Sequence, residues 1–141
     1  MKMHLSTLTI FLLPLSPGVF TASLDILRPK SWDLRLFLPG CNPNTTSFDL
    51  SVFHAQGVSA TAAGCNSFDA GSVNVSAVDS FSWKSPGVTR YDLCLYERCT
   101  DGDGGNGTGR VRAVRDGWEV CVPYEGGWRG WGVVGADQDC L

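Results

Sequence analysis

The sequence predicts an all-β fold, a small disulfide-bonded β-sandwich built from two related units, and three observations carry that prediction. The first is a repeated stretch: Trp32 to Cys41 reads WDLRLFLPGC and Tyr91 to Cys99 reads YDLCLYERC. Both have an aromatic, Asp, Leu, one variable residue, Leu and an aromatic, and both reach a cysteine soon after. A partial third copy, WEVCVPYE, runs from Trp118 to Glu125. The second is the cysteine count: the 141-residue chain has 6, and Cys41, Cys65, Cys94, Cys99, Cys121 and Cys140 all lie beyond its first 40 positions. An even number in a short chain with a secretory leader reads as three disulfides. The third is periodicity: apolar and polar residues alternate repeatedly after residue 23, no helical period lasts beyond two turns, and 17 glycines supply turns.

The leader is the opening segment. Lys2 precedes an apolar run from Leu5 to Phe20 that Pro14 and Pro17 interrupt, and Thr21-Ala22-Ser23 supplies small residues for cleavage after Ser23. Residues 1–23 are therefore expected to be a signal peptide, and residues 24–141 a single secreted domain with units at about 32–88 and 91–134 and a tail at 135–141. The broken run is too short for a stable membrane anchor, which needs about 20 apolar residues. A net charge of −3 disfavours nucleic acid as a partner, because phosphate binding needs a basic surface.

Taken in order, Trp32, Leu34 and Leu36 alternate with Asp33, Arg35 and Phe37 as a half-buried strand requires. Pro39-Gly40 ends it. A second strand is expected over 47–53, with Phe48, Leu50 and Val52 on one face, closed by Gly57. Residues 58–79 are small and polar, with room for a short strand over 73–78. After Phe81 to Ser85, Pro86-Gly87 separates the units. A strand at 91–96, a glycine-rich loop at 97–109, and strands at 110–115, 118–122 and 128–134 complete the second unit.

Aligned on their first strands, the units place Cys41 and Cys65 where Cys99 and Cys121 stand. Equivalent positions have equivalent geometry, so the repeat predicts Cys41–Cys65 and Cys99–Cys121. Cys94 stands where the first unit has Arg35, and Cys140 lies in the tail, which leaves Cys94–Cys140. Zinc-module ligand spacings are missing, and no metal or other cofactor is expected.

The strand of aliphatic-x-Leu-Tyr-Glu form at 93–97, leading to a cysteine, with Gly127-Trp128-Arg129-Gly130-Trp131 later, resembles small secreted cysteine-rich proteins of filamentous fungi, a class of effectors and toxins. Tyr124-Glu125-Gly126-Gly127-Trp128-Arg129-Gly130 also resembles, with one residue missing, the Tyr-Glu-aromatic-Gly signature of the βγ-crystallin-like Greek-key fold. That likeness implies two Greek-key-like units. It does not extend to that fold's calcium ligands, since Lys84, Ser80 and Phe81 occupy the ligand positions of the first unit and Gly130 replaces the second unit's Ser.

Catalytic chemistry finds little to work with. His54 is the sole histidine beyond the leader and has no nucleophile motif beside it, so a small hydrolase or ribonuclease built on it is the enzymatic alternative to a non-enzymatic protein. Asp101 with Asp103, and Asp137 with Asp139, sit in segments expected to be solvated, which suits neither a raised acid nor a calcium loop. Arg110, Arg112 and Arg115 read as a solvated basic stripe. Among the aromatics Trp118, Tyr124, Trp128 and Trp131, the pair Trp128 and Trp131 with Arg129 between them forms the candidate binding edge, suited to stacking on a sugar or a partner's side chain. Core filling is the competing use of those rings. Sequons at Asn44, Asn74 and Asn106 are candidate N-glycan sites. The expectation is a secreted glycoprotein that acts outside the cell on a host or competitor, by binding a protein or a glycan.

Overall fold

The computed structural model describes residues 31–44, 50–62, 64–69, 72–87, 90–100 and 105–140. The expected signal peptide, and with it Phe48, Asp49, Asp101 and Asp103, lies outside the described residues. The strands are β1 (Trp32–Phe37), β2 (Ser51–Gly57), β3 (Asn66–Ser67), β4 (Ser80–Lys84), β5 (Tyr91–Cys99), β6 (Gly107–Val114), β7 (Trp118–Pro123) and β8 (Gly130–Gly135). They form two four-stranded antiparallel sheets, ordered β2-β1-β4-β7 and β3-β8-β5-β6.

The duplication explains this order. With β1 matched to β5, β2 to β6, β3 to β7 and β4 to β8, the second sheet read backwards is β6-β5-β8-β3, strand for strand the counterpart of the first. Each Greek-key-like unit keeps three strands in its own sheet and sends its third strand to the edge of the other. Inward residues of both sheets then fill one core. Leu34, Leu36, Phe81, Trp83, Leu93 and Leu95 have no solvent exposure at all. At about 25 cal/mol per Å² of apolar surface, each such side chain contributes about 1.5–3 kcal/mol relative to an exposed one.

That exchange also corrects the expected cross-links. Cys41 bonds to Cys121 and Cys65 to Cys99, each between units, and not Cys41 to Cys65 or Cys99 to Cys121 within them. The cysteine of each third strand travels with it, so it meets the cysteine that follows the first strand of the other unit. The two bonds remain equivalents of one another under the duplication. Cys94–Cys140 forms as the leftover pair requires. Gly130 lies against the Cys65–Cys99 bond, where an added Cβ would overlap both sulfurs.

Local differences have local causes. The second strand lies over Ser51–Gly57, and the face assigned to it is reversed: Val52 is exposed while Phe53 packs on the core. A register shift between Leu36 and Phe37, which pair with Phe53 and Ser51, produces the one-residue slip. The strand expected over 73–78 is a one-turn 3-10 helix, Val75–Ala77, because the Asn74 side chain accepts the Ser76 N–H and turns the chain. The glycine-rich loop is shorter than expected: β5 runs on to Cys99 and β6 starts at Gly107. Among the described residues no helix is long and apolar enough to cross a membrane.

Candidate interaction surface

The repeated strand puts matched residues on the outward faces of the two sheets: Asp33, Arg35 and Phe37 on the first, Asp92, Cys94 and Tyr96 on the second. The second face is covered. Cys94 ties down Cys140, and the tail lies back over the sheet, with the Ala136 N–H donating to the Arg90 carbonyl. Asp92, Cys94 and Tyr96 are buried as a result. Desolvation pushes the Asp92 carboxyl above its ordinary value, and the charge of Asp137 adds to the rise. Arg115 and the Asp137 N–H, which donates to the carboxylate, oppose it.

The first face is built differently, because Arg35 stands where Cys94 does. Asp33 accepts from Arg35 Nε at 2.9 Å and lies 2.8 Å from His54 Nε2. Register explains the grouping: Arg35 is directly opposite His54 on β2, and Asp33 is opposite Lys84 on β4. Lys84 is in turn opposite Trp118 on β7, and its Nζ sits 4.7 Å from the centre of the Trp118 ring. Gln56, Asp33, Lys84 and Trp118 thus form one cross-strand row. Trp118 is 56% exposed, far more than the other tryptophans among the described residues. A solvated indole beside an ammonium, next to a carboxylate contacted by Arg35 and His54, offers stacking area and both signs of charge.

The binding edge expected at Trp128, Arg129 and Trp131 is corrected. Both tryptophans are core residues, 6% and 9% exposed, and Trp131 packs against the rings of Trp32, Phe53 and Phe68. Trp128 precedes β8, in a turn set by Gly126 and Gly127 with positive φ (121° and 65°), so strand alternation does not govern it. The Tyr124 hydroxyl donates to its carbonyl, and the Arg110 guanidinium covers its ring at 5.5 Å. Arg129 is exposed and pairs with Asp69 at 3.4 Å.

Of the expected solvated stripe, Arg110 and Arg115 are exposed and Arg112 is half-buried. Arg110 also binds Glu97, whose carboxyl is held below its ordinary value first by the Arg110 N–H. Arg112 lies 5.4 Å from the Phe81 ring, and Arg115 pairs with Asp139. Asn44, Asn74 and Asn106 are all exposed. Among the described residues the contact of the His54 ring is with the Asp33 carboxylate, at 2.8 Å. Among those residues no three His, Cys, Asp or Glu side chains gather where a metal ion would sit.

Reasoning from sequence grouped Trp118 with the other aromatics without singling it out, and missed Asp33. The signal was present in the alignment of Arg35 with Cys94, which marks the outward position that differs between the faces. The cross-strand register that joins Asp33 to His54 and Lys84 to Trp118 has no such signal. Comparison with protein-family models, curated proteins and solved structures finds no match for this chain.

Proposed function

We propose that this chain is a secreted, non-enzymatic protein that acts by extracellular contact with a protein or glycan of a host or competitor, in the manner of the fungal effectors and toxins it resembles. The contact surface is the outward face of the first sheet, from His54 through Asp33 and Arg35 to Lys84 and Trp118. The observation that carries this reading is the exposed Trp118 under Lys84 on the outward face of the first sheet. Exposed tryptophans and arginines at the centre of a patch are the residue types that dominate binding energy. A glycan-binding role for Trp128 and Trp131 has no exposed ring to use.

The test compares capture of extracellular host material by the purified chain and by Trp118→Ala. Loss of a captured species by a variant that melts with the parent supports the reading; unchanged capture opposes it. The enzymatic alternative has the 2.8 Å contact between His54 and Asp33 in its favour. Hydrolysis of an ester, glycoside or RNA substrate that His54→Ala abolishes would establish that alternative instead.

A further inference from the structure

The covered face of the second sheet is not solid. Between the tail and the sheet lies a cleft of 470 Å³ lined by Thr61, Tyr96, Val133, Val134, Gln138 and Asp139. That volume is within the range of small-molecule sites. Tyr96 is the informative member. It is 1% exposed, yet its hydroxyl has no hydrogen-bond partner among the described residues, and burial alone pushes its pKa up. The ring is packed away, and the hydroxyl at its end is free to hydrogen-bond whatever enters the cleft. Among the described residues the fully occluded side-chain polar atoms without a hydrogen-bond partner are Ser80 Oγ, Trp83 Nε1 and Trp128 Nε1. Tyr96 Oη is not among them, so it retains access.

The remaining polar groups narrow the ligand. Thr61 Oγ1 is satisfied by the main chain of Val133. Gln138 Oε1 accepts the Gly135 N–H, which leaves the Gln138 amide nitrogen and the Tyr96 hydroxyl to offer hydrogen bonds. Asp139 stands at the rim, highly exposed and paired with Arg115 at 3.7 Å. None of the described lining residues is cationic, so an anion finds no counter-charge there. The one lining carboxylate is solvated and already paired, which gives a cation no buried counter-charge. Val134 supplies apolar wall, while the side chain of its neighbour Val133 belongs to the core between the sheets.

We infer that this cleft is a binding site for a small, uncharged, mostly apolar molecule carrying one hydroxyl or carbonyl, which Tyr96 and Gln138 hydrogen-bond. It opens on the opposite side of the sandwich from Trp118 and is independent of the contact surface there.

The test titrates the disulfide-intact chain with p-cresol, p-xylene and 4-methylbenzoate, following the methyl resonances of Thr61 and Val134. p-Cresol should move the methyls of both residues saturably, and 4-methylbenzoate should bind more weakly. Tyr96→Phe keeps the ring and removes the hydroxyl. It should weaken p-cresol about 3- to 10-fold, the range of one neutral hydrogen bond, and leave p-xylene unchanged. Gln138→Ala should weaken p-cresol in the same direction, and Trp118→Ala should not. Cleft methyls that stay still at millimolar p-cresol, or a Tyr96→Phe variant that loses p-xylene as much as p-cresol, would overturn the inference.

Discussion

Substituting Cys41 alone separates the two ways a duplicated chain can be cross-linked. In the exchanged arrangement Cys41→Ala releases Cys121, 80 positions away, whereas bonding within the unit would release Cys65. The energetic consequence follows from loop length. Closing a loop of 80 residues restricts the unfolded chain by about 4.5 kcal/mol on the chain-entropy relation, against about 3.8 kcal/mol for the 34-residue Cys65–Cys99 loop. The dependence is logarithmic, so the two equivalent bonds differ by less than about 1 kcal/mol despite very different spans. Guanidinium unfolding of Cys41→Ala with Cys121→Ala should therefore show a loss of about 4–5 kcal/mol and a larger m, since the unfolded chain expands. Alkylation of Cys41→Ala under non-reducing, denaturing conditions, followed by peptide mass analysis, should label Cys121. A label on Cys65 would refute the strand-exchange argument outright.

Other outcomes follow from burial and charge. Trp131→Ala, which leaves a hole among Trp32, Phe53 and Phe68, should cost about 3–5 kcal/mol in denaturant unfolding, whereas Trp118→Ala should cost about 0.5 kcal/mol. Equal losses would place Trp118 in a core. Asp92 has a folded pKa raised above its ordinary 3.8, so the folded state binds the extra proton. Stability from this group is present at low pH and declines as pH rises from near 3.8 through the raised value. Asp92→Asn should accordingly melt higher than the parent at pH 7, with the difference shrinking toward pH 3.5 (about the foot of an aspartate titration). A variant that is less stable at pH 7 would show that the carboxylate's bond to the Asp137 N–H outweighs its desolvation.

Much of the fold was readable because a repeated alternation leaves few ways to bury Trp32, Leu34 and Leu36 and their counterparts Leu93 and Leu95. Strand exchange was not readable, for a reason specific to duplication. Pairs within units and pairs between units satisfy the same equivalence, so symmetry alone does not choose between Cys41–Cys65 and Cys41–Cys121. Only the path of the third strand does, and β3 is two residues long, too short to leave a pattern. The face of β2 was lost to a bulge, since one shifted residue turns Val52 outward and Phe53 inward. The surface row failed for the related reason that His54, Asp33, Lys84 and Trp118 come from four strands and meet through register. The tryptophans misled because Trp128 and Trp131, on either side of Arg129 and Gly130, show no alternation that assigns either ring to a face. The turn at Gly126 and Gly127 instead brings Trp128 inward, where Arg110 covers its ring.

The proposal that the outward face of the first sheet makes contact, while the tail covers part of the other, is tested most directly by photo-crosslinking from each face in turn. Gln56 belongs to the Asp33, Lys84 and Trp118 row, and Ala113 lies opposite Cys94 on the other sheet; both are exposed. With a benzophenone side chain placed at either position and the chain exposed to extracellular host material, an adduct should form from position 56 and not from position 113. An adduct from position 113 with none from position 56 would contradict the assignment of the first sheet as the contact surface.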